Sequence, residues 1–243
     1  PLHETRDFYH TKKLAICQQP CYDFDSMDST IETPSTSLRN GILYYLAVWL
    51  CLGALFTPLL VMPDWFIFPF IVPKVVALRI LMVIGVSLIV PLLYCMPGLR
   101  LKMRSVHYVV LVYVVVIFLS GIFGQDFYRS FWSTHERMLG IFSVLHYIAY
   151  LFLTSILFRG WEGKKIDGVS IYGWRVWVRT AVIGASIVAA VGVAQRFGTN
   201  ILYVEGGGRV FGTLGNFIYL GNYMATSLWL IALLFLKEKN PIS

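Results

Sequence analysis

Charge is what this sequence has least of. Only 14% of its 243 residues are charged, 13 of them acidic against 20 lysines and arginines. With 57% hydrophobic residues and a mean hydropathy of +0.69, a soluble globular domain is excluded, because that much apolar surface cannot all be hidden from water. Cysteine is scarce as well. Cys17 and Cys21 stand in CQQPC without a second ligand pair, and Cys51 and Cys95 fall inside apolar runs, where a thiol acts as a small hydrophobe. Neither a zinc site nor a disulfide is expected. No Gly-Lys-Ser/Thr follows the glycine-rich stretch, which excludes a nucleotide P-loop. No histidines, cysteines and acids share metal-ligand spacing, so neither a metal nor a cofactor is expected. A basic-then-apolar leader, an internal repeat and a low-complexity linker are all missing.

What is present is a succession of apolar segments of roughly 18–25 residues, each long enough to cross about 30 Å of hydrocarbon. They run Ile42–Met62, Pro73–Met96, Val106–Phe123, Met138–Phe158, Trp177–Gln195 and Phe217–Leu236. Only helices satisfy their own backbone in lipid without closing a barrel, so the expected fold is all-α and polytopic, with about six transmembrane helices. Tryptophans and tyrosines gather at the segment ends as an aromatic belt. Pro91 is expected to kink the second segment. Residues 1–40 are polar and irregular, and residues 41–243 form the transmembrane domain. Met27 opens a natural-looking cytoplasmic N-terminus, so residues 1–26 are expected to lie outside the native protein.

The net charge of +7 does not point to nucleic acid, because its placement follows topology. Arg100, Lys102, Arg104, Arg159, Lys164, Lys165, Arg175, Arg179, Lys237 and Lys239 fall on one side of the alternating segments. Lys74, Arg129, Arg137, Arg196 and Arg209 fall on the other. Ten cations against five make the N-terminus cytoplasmic. Arginines near helix ends ordinarily snorkel and anchor a span, and Arg129 and Arg196 are read that way. Arg209 is different because Gly206, Gly207, Gly208, Gly212 and Gly215 strip side chains from its surroundings. Backbone N–H groups there can converge on an anion, and Asn216 can cap the next helix, whose N-terminus is positive. Guanidinium, bare backbone and helix end together suit a phosphate group, although the glycines equally suit a loose turn. Arg79 lies inside the second segment and must be paired or face water; Lys74 stands at its mouth. Five residues apart, the two point about 140° away from each other on a helix. His135 beside Glu136 has the makings of a base but is more simply a surface histidine, and His146 reads as a packing or hydrogen-bonding residue.

Three stretches, FWSTHERMLGIFSVLHYIAYLF, GRVFGTLGN and PKVVALRIL, resemble the bacterial O-antigen ligase family, which includes O-antigen polymerases and protein O-oligosaccharyltransferases. The Arg-x-x-Gly-Thr-x-Gly-Asn element is the most specific of them. The resemblance covers most of the chain after residue 65 and implies a multi-pass protein of the bacterial cytoplasmic membrane. It implies transfer of a glycan from an undecaprenyl-pyrophosphate carrier to a hydroxyl on a lipid, glycan or protein acceptor at the outer face. Carried over by motif, Arg209 and Arg137 would bind the pyrophosphate; the charge and glycine readings add Arg79, Lys74, Gly208, Gly212 and Asn216 to the substrate-binding set. Phe217 stands where the family usually has proline. The resemblance also implies that the chain is the N-terminal half of a longer enzyme, whose histidine-bearing outer loop, and so the catalytic base, lies beyond Ser243. Alone, the fragment is expected to be inactive. The competing class is a transporter fragment with an arginine-lined solute path.

The charge asymmetry predicts that cysteines introduced at Ser133 and Thr199 react with an impermeant thiol reagent from outside the cell. One introduced at Ser105 should not react, and the reverse pattern would invert the topology.

Overall fold

The computed structural model describes residues 34–63, 68–134, 138–198 and 209–238. The chain divides after Thr33 into two units, and the first lies outside the described residues, as do Met27 and the CQQPC stretch. The second is built from helices α1 (Pro34–Gly53), α2 (Val72–Cys95), α3 (Ser105–Ile122), α4 (Phe127–Trp132), α5 (Ile141–Leu157), α6 (Trp174–Arg196) and α7 (Phe217–Lys237). A 3-10 stretch, Ala54–Leu59, prolongs α1.

Among the described residues five helices are long and apolar enough to cross a membrane: α1 with its extension, α2, α3, α6 and α7. Several such helices make this a multi-pass membrane chain. Of the six expected segments, five are thus helices of spanning length among the described residues, and the remaining one is a shorter apolar helix. The fourth apolar segment shrinks from both ends because Gly140 is extended, with ψ 175°, and Phe158 leaves the helix in an extended conformation. Its 17 residues remain as α5. Pro91 sits within an unbroken α2.

The described residues are mostly helical, as expected, with one short hairpin that was not foreseen. Strands β1 (Gly163–Ile166) and β2 (Val169–Tyr172) form an antiparallel hairpin in which Ile166 faces Val169 across a two-residue turn. Asp167 and Gly168 both take positive φ, +47° and +74°, the left-handed pair that a tight hairpin requires and that Asp-Gly supplies. Along β2 the side chains alternate buried and exposed. Val169 and Ile171 enter the same core as Tyr44, Ala47, Val48 and Cys51 of α1, Met82, Ile89 and Leu92 of α2, and Leu153, Ile156 and Leu157 of α5. The hairpin thus plugs one end of the helix bundle. The short helix α4 was also unforeseen; Asp126 caps it by accepting from the Arg129 backbone N–H at 3.0 Å.

The outer helices bury almost nothing. In α3 only His107 and Gly121 are buried, and in α7 only Ser227. Val109, Val112, Leu228, Trp229 and Phe235 are exposed, which is stable where the surrounding medium is hydrocarbon.

Side chains from one helix close the open ends of others. The Tyr44 hydroxyl, on a fully buried ring, donates to the Leu157 carbonyl at 3.0 Å and accepts from the Tyr172 backbone N–H at 2.7 Å. One phenol therefore ties α1 to the end of α5 and to the hairpin. Tyr44→Phe leaves that carbonyl and that N–H unpaired, and should cost about 1–3 kcal/mol. A thermal melt in detergent should show a lowered midpoint, whereas an unchanged midpoint would mean the two bonds contribute nothing.

Candidate functional site

Arg209 to Asn216 pack between the start of α2 and the ends of α6 and α7. The Lys74 ammonium, near the start of α2, donates to three carbonyls: Leu60 at 2.7 Å, Phe70 at 2.6 Å and Thr213 at 2.8 Å. An ammonium has three N–H donors, so all of them are engaged by backbone. From α6, the Gln195 side-chain amide brackets one glycine. Its oxygen accepts from the Gly212 N–H at 2.8 Å and its nitrogen donates to the Gly212 carbonyl at 3.4 Å. Gly215 has φ +72°, and a Cβ there would lie 2.5 Å from Cγ of Phe70 and 2.6 Å from its Cβ. Only glycine fits that approach. The Asn216 side chain then accepts from the Ile218 N–H at 2.8 Å and caps α7.

Arg209 is exposed, with its guanidinium 4.7 Å above the ring of Phe217, the first residue of α7. It has no hydrogen bond or ion pair among the described residues. A cation held on an aromatic face keeps its N–H edges outward, free to take an anion bidentately beside a positive helix end.

Arg79 is set apart from this block. Its guanidinium donates to the Ser143 hydroxyl at 2.7 Å, reaches the Met138 carbonyl at 3.5 Å and stacks 4.8 Å from the Phe142 ring. Its Nε is buried without a partner among the described residues. The five-residue spacing sends Lys74 to the loops and Arg79 to α5. Among the described residues Arg79 and Arg209 share no bond or ring partner. His146 sits edge-on to Phe142 at 4.6 Å and bonds the Phe142 carbonyl at 2.7 Å, a packing arrangement.

Of the sequence candidates, the structure joins Lys74, Gly212 and Asn216 in one block, with Arg209 at its rim and Arg79 outside it. Arg137 and Gly208 lie outside the described residues, as do His135 and Glu136. The N–H of Gly212 is spent on Gln195. Three supporting residues, Gln195, Phe70 and Ser143, were not foreseen. The signal for Gln195 was available: it is a polar amide ending an otherwise apolar run, seventeen residues before its partner glycine. The Thr213 hydroxyl is buried here with no partner among the described residues. No protein family, curated protein or solved structure matches the chain.

Lys74→Met should unhook α2 from the loop at Thr213 and leave three carbonyls without their donor. Gly215→Ala should drive Phe70 aside. Both should lower the thermal midpoint in detergent, and the doubly substituted protein should lose less than the sum, because the two lesions act on one block. Strict additivity would show the two contacts to be independent.

Proposed function

We propose that this chain holds the donor-binding part of an O-antigen ligase-like glycan transferase in the bacterial cytoplasmic membrane. The N-terminus is cytoplasmic, and Arg209 meets the undecaprenyl-pyrophosphate carrier at the outer face. Two things support this reading. One is the resemblance carried by Arg-x-x-Gly-Thr-x-Gly-Asn. The other, and the observation that carries it, is the guanidinium of Arg209, without a hydrogen-bond or ion-pair partner among the described residues and poised on Phe217 at the capped start of a spanning helix.

The chemistry asks little beyond such a group. An acceptor hydroxyl attacks the anomeric carbon of the carrier-linked sugar. The new carbon–oxygen bond forms as the bond to the phosphate oxygen breaks, and the electron pair stays on the departing pyrophosphate. The hydroxyl proton passes to a base supplied by another part of the enzyme. A guanidinium fixed near the leaving oxygen stabilises the charge as it develops, without moving at the moment of reaction. Lys74 and Gln195 serve this role indirectly by holding the backbone that carries Arg209. The acceptor is a lipid, glycan or protein hydroxyl.

A solute path lined by Arg79 receives less support. The cavity of about 310 Å³ between α2 and α5 is walled by Met82, Val83, Val86, Phe142, Leu145 and Ala149. Its two polar members, Ser87 and His146, each bond a carbonyl of their own helix. Such a wall is apolar and offers no relay of polar groups to a passing solute.

In the complete enzyme, Arg209→Ala should lower transfer from a lipid-linked donor by about 10²-fold, with expression retained. Arg209→Lys should recover only part of it, because a point charge replaces a planar fork. Equal rates for the lysine variant and the wild type would reduce Arg209 to a membrane anchor.

A further inference from the structure

At the other end of the bundle a cavity of about 490 Å³ opens between α3 and α7, with α5 and α6 behind it. Three residues of its wall, His107, Arg159 and Trp161, each carry a side-chain nitrogen buried just beneath the surface with no partner among the described residues: Nε2, Nε and Nε1 respectively. His107, the third residue of α3, is only 5% exposed. Its Nδ1 accepts from the Arg104 backbone N–H at 3.0 Å, which leaves the ring proton on Nε2. Arg159 is fixed by donating to the carbonyls of Leu99, at 2.8 Å, and Arg100. That grip spends one end of the guanidinium and leaves Nε–H unused. Trp161 has an indole N–H and no capacity to accept.

All three orphan groups are donors. A buried donor left unpaired is costly, and three on residues that line one cavity make a site short of acceptors, which small side-chain rotations would turn toward a bound anion. The rest of the wall agrees. Lys102, Arg104 and Lys237 add positive charge, the start of α3 adds its dipole, and no carboxylate among the described residues lines the cavity. The acids nearest along the chain are already taken: Glu162 pairs with Arg175, and Glu238 with both Arg175 and Arg179. Bonds from Arg179 and Arg175 hold the Glu238 carboxyl below its ordinary range, so it stays charged and occupied by its own partners. Beside the donors the wall turns apolar, with Phe158, Trp174, Trp177, Leu230 and Leu233.

We propose that this cavity binds the phosphate of an anionic phospholipid, with the glycerol and upper acyl chains lying along Leu230 and Leu233 against the exposed apolar face of α7. Basic, aromatic-edged pockets between spanning helices suit such headgroups. Lys237 and Phe217 are opposite ends of α7, about 30 Å apart, so the site is separate from Arg209 and does not depend on the glycan-transfer reading. A free phosphate ion has the same headgroup chemistry, and the test separates the two sources.

The purified chain in mild detergent is melted with dioctanoyl phosphatidylglycerol, dioctanoyl phosphatidylcholine or sodium phosphate at matched ionic strength. Phosphatidylglycerol should raise the midpoint saturably, phosphatidylcholine far less, and phosphate only weakly. Trp161→Phe removes one donor and keeps the ring, and should weaken phosphatidylglycerol roughly tenfold, the worth of one bond to a charged group. Trp229→Phe, on the exposed side of α7, should bind as the wild type does. Equal shifts from both lipids, or an unchanged Kd in Trp161→Phe, would overturn the proposal. Saturation by phosphate alone, with no further gain from lipid, would overturn the lipid assignment. Where Trp161→Phe melts too low to titrate, Lys237→Gln provides the same comparison: weaker phosphatidylglycerol binding is expected, and an unaltered Kd counts against the site.

Discussion

A helix leaves its last carbonyls without intrahelical donors, and hydrocarbon offers none. Much of this structure follows from how that deficit is met. Asn40 donates to Cys95 near the end of α2, Tyr44 to Leu157 at the end of α5, and Tyr150 to Cys51 near the end of α1. Lys74 does the same for Leu60, and Arg159 for Leu99. Each donor comes from a different helix or loop than its acceptor, separated by at least 14 residues. Satisfying backbone and joining helices are thus one act, and the bundle holds together although its outer members bury little.

The same constraint sorts the cations. Lys74 is saturated by carbonyls and fastens the loop, whereas Arg209, a few residues from that loop's anchor, has only a ring beneath it among the described residues. Arg159 lies between these cases, with one edge spent on backbone and one nitrogen left over among the described residues. Positive charge alone therefore says little about binding here. Which protons remain after the backbone has been served says more, and it points to opposite ends of α7.

The spans were legible because composition alone decides them: a run of twenty apolar residues has few alternatives in water or in lipid. The cap at Asn216 was legible because it is local, needing only its own side chain and the next turn. The hairpin was written just as locally, in Ile-Asp-Gly-Val, but it lay between two strong apolar segments and inside a loop counted for its lysines. Long-range partners left no such trace. Nothing near Lys74 names Thr213, 139 residues on, and nothing near Tyr44 names Tyr172. Gly212 and Gly215 announced a special backbone, but whether it faced a ligand or a neighbouring side chain depended on Gln195 and Phe70, which only the fold brings there. The length of α5 was overestimated because Met138 and Leu139 are apolar without being helical.

That short helix has a mechanical consequence for the bilayer around it. Seventeen residues rise about 25 Å, less than the roughly 30 Å of a hydrocarbon slab. The shortfall is placed beside Arg79, whose guanidinium is about 10 Å along α2 yet meets Ser143, only the third residue of α5. A stretch shorter than the slab is matched by local thinning, by snorkelling of flanking side chains or by association with longer helices, at fractions of a kcal/mol for each Å of mismatch. Arg79 is therefore met by the first turn of a shorter helix and by the carbonyl of Met138 just before it, so an arginine deep by sequence count reaches the end of its neighbour rather than its middle.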